Sequence, residues 1–165
     1  MHAWRRPKWA VSALCLAAVL AAIASWALWP SSSPPPRERQ YRATTACLLT
    51  DDKGLVGEQA QATWKGMQAA SVATLVKVQY LSVPGPQTPA NAAAYFNSLA
   101  LQKCALIFAT GEAPIAAMLD GYSRFPELRY VAVGGANEDP QVTVVPATPL
   151  DTVPTTVQRI ISEAA

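Results

Sequence analysis

The chain has 165 residues, room for about one globular domain. Its formal charge is +2, yet from Ala43 onward seven Lys/Arg stand against ten Asp/Glu, which leaves no basic surface for a phosphate backbone and argues against nucleic acid as a partner. The only histidine is His2, so histidine catalysis and most zinc arrangements are removed from everything beyond the amino terminus.

Residues 1–8 form a basic flank carrying Arg5, Arg6 and Lys8. Trp9 to Trp29 then runs 21 positions without a charge. As a helix that stretch is long enough to cross a hydrocarbon core, which needs about 20 residues, and Trp9, Trp26 and Trp29 sit at its ends, where indole rings favour the headgroup layer. The expectation is a single-pass anchor in the cell membrane, with the remainder on the extracytoplasmic side. A signal peptide cut after Ala22-Ile23-Ala24 is the alternative, but apolar residues continue past that site to Trp29. Cys15 lies deep in the apolar run behind Leu14, where a lipid-attachment cysteine would want a small neighbour, and reads as a membrane-buried thiol. Residues 30–42, rich in Ser and Pro, read as an extended spacer.

From Ala43 to Ala165 short apolar runs alternate with helical stretches. Thr45–Thr50 reads as a strand, and residues 57–71 as a helix with Ala60, Trp64, Met67 and Ala70 on one face. Residues 74–81 are rich in strand-favouring types. Thr88 and Pro89 have the form of an N-cap and first helical residue, opening a helix whose stripe is Ala92, Tyr95, Phe96 and Leu99. Residues 104–110, "CALIFAT", are apolar enough for a strand covered on both faces. A third helix carries Ile115, Met118, Leu119 and Tyr122, and Pro126 blocks its continuation. Strands at 128–135 and 142–145 follow, and a closing helix at 151–163 turns Val153, Val157, Ile160 and Ile161 inward.

This alternation predicts an α/β fold, a parallel sheet in three layers with helices on both faces. Cys47 and Cys104 fall in expected buried strands. Thiols on neighbouring parallel strands seldom meet disulfide geometry, so two buried free thiols are expected, with a single disulfide as the alternative for an exported domain.

Ligands in such sheets sit outside the carboxyl ends of the strands, where the pattern places Asp51, Asp52, Thr110, Gly111, Glu112, Gly134 and Gly135. Two adjacent acids after a first strand can hold Mg²⁺ for phosphoryl transfer, but that chemistry needs an aspartate closing the third strand, and Thr110 stands there. Gly54 and Gly57 fit neither a dinucleotide fingerprint nor a Walker lysine pattern; they read as a turn. No G-x-S-x-G elbow activates a serine. No catalytic residue, metal or cofactor is expected.

The run "LLTDDKGLVGEQAQATWKGMQAA" resembles the opening of the basic membrane protein family of ABC-transporter substrate-binding proteins, which contains purine nucleoside receptors. Lys65 stands in "WKGM" where that family carries an acid. "CALIFATGEAPIAAMLDGYSRFPELRYVAVGG" is similar to its third strand, glycine turn and lead into the fourth strand, and "PQVTVVPATPLDTVPTTVQRII" to its crossing into a second lobe. The resemblance implies a single lobe of a type 1 periplasmic-binding fold. It implies Asp51 as an acceptor for ligand hydroxyls, with Asp52, Gly111 and Glu112 beside it by position. The implied ligand is a small polar molecule such as a nucleoside, and the implied partners are an ABC transporter or a second lobe supplied by dimerisation. Two other functions stay open: a ligand-independent interaction module, and a Mg²⁺-dependent phosphoryl-transfer enzyme built on Asp51 and Asp52.

Overall fold

The computed structural model describes residues 18–25, 40–135 and 139–165, and the chain divides into two units, Met1–Glu38 and Arg39–Ala165. In the first unit residues 18–25 are helical and exposed. The rest of the expected anchor at 9–29, and the spacer up to residue 39, lie outside the described residues. Among the described residues no helix is long and apolar enough to cross a membrane.

The second unit is built from strands β1 (Thr45–Thr50), β2 (Lys77–Ser82), β3 (Leu106–Thr110), β4 (Arg129–Val133) and β5 (Val142–Val145). Helices α1 (Glu58–Thr74), α2 (Pro89–Leu101), α3 (Glu112–Gly121) and α4 (Val153–Glu163) connect and close it. The strands form one parallel sheet in the order β2-β1-β3-β4-β5. β3 is buried at all five positions, and β1 and β4 at all but their first, which is why those segments read as unbroken apolar runs.

Side chains alternate across the sheet and divide the core in two. Ala46, Leu48, Phe108 and Val131 pack under α1 and α4 with Met67, Val157 and Ile161. Cys47, Leu49, Ile107 and Ala132 pack under α2 and α3 with Phe96 and Met118. The sheet is therefore covered on both faces, and the expected three-layer α/β fold is observed.

Local signals explain most boundaries. The Thr88 hydroxyl accepts the Asn91 N–H at 3.3 Å, and Pro89 supplies the first turn of α2. α1 outruns its expected end by three residues. No glycine or proline marks the stop, and the helix closes only where Leu75 turns left-handed (φ +62°) and its N–H bonds Ser71 O. Trp64 is half-buried rather than central to the α1 stripe, and stacks edge-on against Tyr80 of the outer strand β2 at 5.4 Å. The buried face runs through Ala60, Thr63, Gly66, Met67 and Ala70 instead. Gly66 is where α4 crosses: a methyl group there would lie 2.4 Å from Pro154 O and 2.9 Å from Val157 Cβ.

The expectation of two free thiols is corrected. Cys47 and Cys104 form a disulfide with Cα atoms 5.8 Å apart, both residues fully buried. Cysteines held in register on neighbouring parallel strands would seldom meet disulfide geometry. Cys104 precedes β3 instead, in the turn where Lys103 adopts φ +63° and the Cys104 N–H reaches back to Leu99 O. That turn frees Cys104 from the strand register, in which Cys47 faces Ile107.

Candidate functional site

At the carboxyl end of β1 the chain leaves the sheet through a tight turn. Asp51 O accepts the Gly54 N–H at 3.1 Å, and Asp51 Oδ1 accepts the Lys53 N–H at 3.1 Å, an arrangement typical of a turn-forming aspartate. Gly54 takes φ +57°, as that turn requires. One carboxylate oxygen is thus used locally, and Oδ2 is turned toward the neighbouring strand end.

That neighbour is Gly111, which links β3 to α3 with φ +90°. A Cβ there would meet Asp51 Cβ at 3.3 Å and Oδ2 at 3.5 Å, so the aspartate side chain lies directly over the glycine. A similar approach occurs one strand further on, where Gly134 (φ +81°) leaves room for the Gln59 amide, whose nitrogen lies 2.7 Å from the place a Cβ would occupy.

Two adjoining depressions open on this rim. The first, of about 460 Å³, lies between the β1 turn, the amino end of α1 and the end of β3; Asp51, Lys53, Glu58, Gln59, Thr110 and Gly111 line it. The second, of about 430 Å³, lies toward β4 and is bounded by Glu112, Ile115, Leu119 and Gly134. Gln59 and Gly111 border both. Among the described residues neither Asp51, Lys53, Glu58 nor Glu112 is held in an ion pair, and no cluster of His, Cys, Asp or Glu is placed to grip a metal.

Of the residues expected from sequence, Asp51 and Gly111 meet in the first depression and Gly111 and Glu112 in the second. Asp52 is exposed and lines neither. Lys53, Val56, Gln59, Ile115 and Leu119 were not anticipated as lining residues. The glycine pair at 134 and 135 carried a signal for Gln59, since a glycine at a strand end marks a close approach by another group.

Two electrostatic features lie away from this rim. The Tyr122 hydroxyl donates to the Asp139 carboxylate, which also accepts the Gln141 N–H at 2.8 Å. The bond from Tyr122, then that from Gln141, holds the Asp139 carboxyl below its ordinary range, and the same aspartate raises the Tyr122 phenol. Tyr130 is buried with its hydroxyl on Phe125 O at 2.8 Å, and burial, with the Glu127 charge, pushes it up to about 12.

Comparison with solved structures agrees with this architecture. The chain superposes on a fragment from Peptoclostridium difficile 630 described as a "putative lipoprotein", with a TM-score of 0.62 and 10% identity over 74% of this chain and 99% of that one. It also superposes on an ABC transporter system solute-binding protein from Aeropyrum pernix K1, with a TM-score of 0.50 and 19% identity over 61% of this chain and 28% of that one. The chain thus spans less than a third of that solute-binding protein. No family model matches the sequence and no curated protein matches it, so the likeness to the basic membrane protein family rests on the motifs alone. What these comparisons show is the fold: a five-stranded parallel α/β unit similar to part of a solute-binding protein.

Proposed function

We propose that the chain is a membrane-tethered, extracytoplasmic, solute-binding-like domain that recognises a small polar ligand and carries out no catalysis. The observation that carries this reading is the pair of adjoining depressions at the carboxyl ends of β1, β3 and β4, with Asp51 over Gly111 and Gln59 against Gly134. Asp51, Gly111 and Glu112 are the proposed contacts from the sequence, with Thr110, which the pattern also places at this rim, and Gln59 added by the geometry.

The extracytoplasmic placement draws support from three sources. The uncharged stretch at 9–29 fits an anchor. The buried disulfide belongs in an oxidising compartment. The clostridial neighbour is described as a lipoprotein. An ABC transporter as partner follows by analogy with the solute-binding neighbour.

A single lobe leaves its rim open, whereas a good small-molecule site buries roughly 70–90% of its ligand. Binding by one copy is therefore weak, and tight binding requires a second lobe. The rim carries Asp51, Asp52, Glu58 and Glu112 against Lys53, so two copies meeting rim to rim would set acid against acid. That charge disfavours a second copy as the facing lobe.

Thermal-shift screening of the full chain against nucleosides and sugars tests the reading. Raised melting temperatures that vanish in Asp51→Ala support it. No shift with any compound at millimolar concentration contradicts it.

A further inference from the structure

The two edges of the sheet are guarded unequally. β5 exposes a strand of only four residues with Pro140 and Pro146 close to its ends, which blunts it against further pairing. β2 is six residues long, contains no proline, and carries a single charge, Lys77, at its first position.

The outer backbone of β2 is unpaired. The Lys77 N–H bonds Thr44 O at 3.1 Å and the Val83 N–H bonds Thr50 O at 3.0 Å, so the odd-numbered residues of this strand turn toward β1. Backbone groups alternate along a strand, and those of Val78, Tyr80 and Ser82 therefore point away from the sheet, with no hydrogen-bond partner among the described residues.

Apolar surface gathers along the same edge. Tyr80 is 48% exposed although its ring packs against Trp64. Trp64, Gln68 and Val72 follow at four-residue spacing along one ridge of α1, and Val72 is 66% exposed. Leu75 ends that ridge, and its carbonyl accepts the Arg42 N–H, which brings the exposed Tyr41 to the foot of β2. On the other face Leu101 is exposed next to Gln102, whose side chain accepts from Gln79 of β2. Of the exposed large hydrophobic residues in the second unit, only Val56 lies elsewhere. Such a concentration marks an interaction surface.

A second copy fits this edge. With two β2 strands antiparallel and Tyr80 on the two-fold axis, Tyr80 faces Tyr80 and Val78 faces Ser82, and each pair exchanges both of its N–H···O bonds. The two Tyr80 rings then lie side by side, each backed by its own Trp64. Lys77 falls opposite Val83, about 20 Å along the strand from its own symmetry mate and beyond the reach of screened repulsion. The acid-against-acid conflict of a rim-to-rim contact does not arise.

We propose that the chain forms a two-fold homodimer in which the β2 edges pair antiparallel about Tyr80, joining the two five-stranded sheets into one. The strand-end rims then open at opposite ends of the joined sheet, so the dimer neither closes nor blocks them.

The test is amide hydrogen exchange, read by NMR on the isotope-labelled full chain in detergent micelles at low and high ratios of protein to micelle, with sedimentation equilibrium giving the mass of the particle. At the high ratio the Val78, Tyr80 and Ser82 amides should exchange slower than at the low ratio by about tenfold or more, while Lys77, Gln79 and Leu81 are slow at both. Tyr80→Lys sets two ammonium groups face to face, and Ser82→Pro removes an outward N–H without touching the bonds to β1. Each should leave the outer amides fast at both ratios with the inner ones still slow. Fast exchange of the outer amides in the wild type at every ratio overturns the proposal. So does slow exchange in a particle of monomer mass, which would mean that the chain covers its own edge. A dimer that persists in both variants places the interface elsewhere and overturns it as well.

Discussion

Asp51 and Gly111, sixty positions apart in sequence, are packed face to face at the carboxyl ends of β1 and β3, with 3.3 Å between Asp51 Cβ and the place where a Gly111 Cβ would stand. The contact joins the two strand ends into one rim. It works only with glycine at 111, because φ +90° is a conformation that side-chain-bearing residues rarely adopt. Gly111→Val is expected to destabilise the fold by about 1–3 kcal/mol through backbone strain alone. Displacement of the aspartate should remove ligand-dependent stabilisation as well. Urea unfolding of wild type and variant, each with and without the best compound from a thermal-shift screen, measures both effects.

The disulfide closes a long segment, since Cys47 and Cys104 are 57 positions apart. A cross-link of this span restricts the unfolded chain, and its removal is expected to cost about 2–4 kcal/mol. The Cys47→Ala/Cys104→Ala double variant should therefore unfold at lower urea than wild type. In a Cys15→Ser background, thiol titration of the native protein should find no free thiol, and the reduced, denatured protein should show two. Two free thiols in the native chain would restore the expectation from sequence.

The crossing of α1 and α4 depends on the missing side chain at Gly66. Unlike the flexible amide near Gly134, the obstacle here is the backbone of Pro154, with its oxygen 2.4 Å from the added methyl. Gly66→Ala is expected to force the helices apart and cost about 1–3 kcal/mol. The rim is built from other contacts, so any ligand affinity should survive in the protein that remains folded. Circular-dichroism melts paired with titration separate the two effects.

Most of the fold was legible because its signals are local or periodic. Thr45–Thr50 and Val142–Val145 were read with their observed bounds, and Thr88-Pro89 marked the start of α2. What could not be read depended on residues that carry no conspicuous preference. Leu75 and Lys103 both turn left-handed without being glycine or asparagine. The first hid the true end of α1, and the second hid the turn that delivers Cys104 to Cys47. At the site, Asp51, Gly111 and Glu112 were visible as residues at strand ends. Gln59 was signalled only indirectly, by the glycines at 134 and 135 that leave room for its amide, because its place at the rim follows from how α1 settles over Gly134.

Asp139, Tyr122 and Tyr130 carry the shifted groups that shape the pH response. The folded-state pKa of Asp139 is lowered, first by the bond from Tyr122 and then by that from Gln141, so its contribution is present above the ordinary carboxylate range. It is lost as the pH falls through the lowered value. Tyr122→Phe should melt earlier than wild type near neutrality, with the gap narrowing in acid. Tyr130 behaves oppositely. Its pKa rises from 10.0 to about 12 through burial and then the Glu127 charge, so stability is unaffected below 10 and declines between those values as the unfolded chain ionises first. Melting curves of wild type and Tyr130→Phe across the alkaline range should show a smaller decline in the variant, in which the raised Tyr122 phenol remains.

Hydrogen exchange followed by mass spectrometry, on the full chain in micelles with and without millimolar leucine, adenosine or glucose, tests the central claim most directly: that recognition occurs on the rim joining β1, β3 and β4. Slowed exchange with at least one compound, confined to residues 51–60 and 110–116, is the result this account predicts. Unchanged exchange with all three, or protection instead along the groove between β5 and α4 near Thr143 and Ile160, would contradict it.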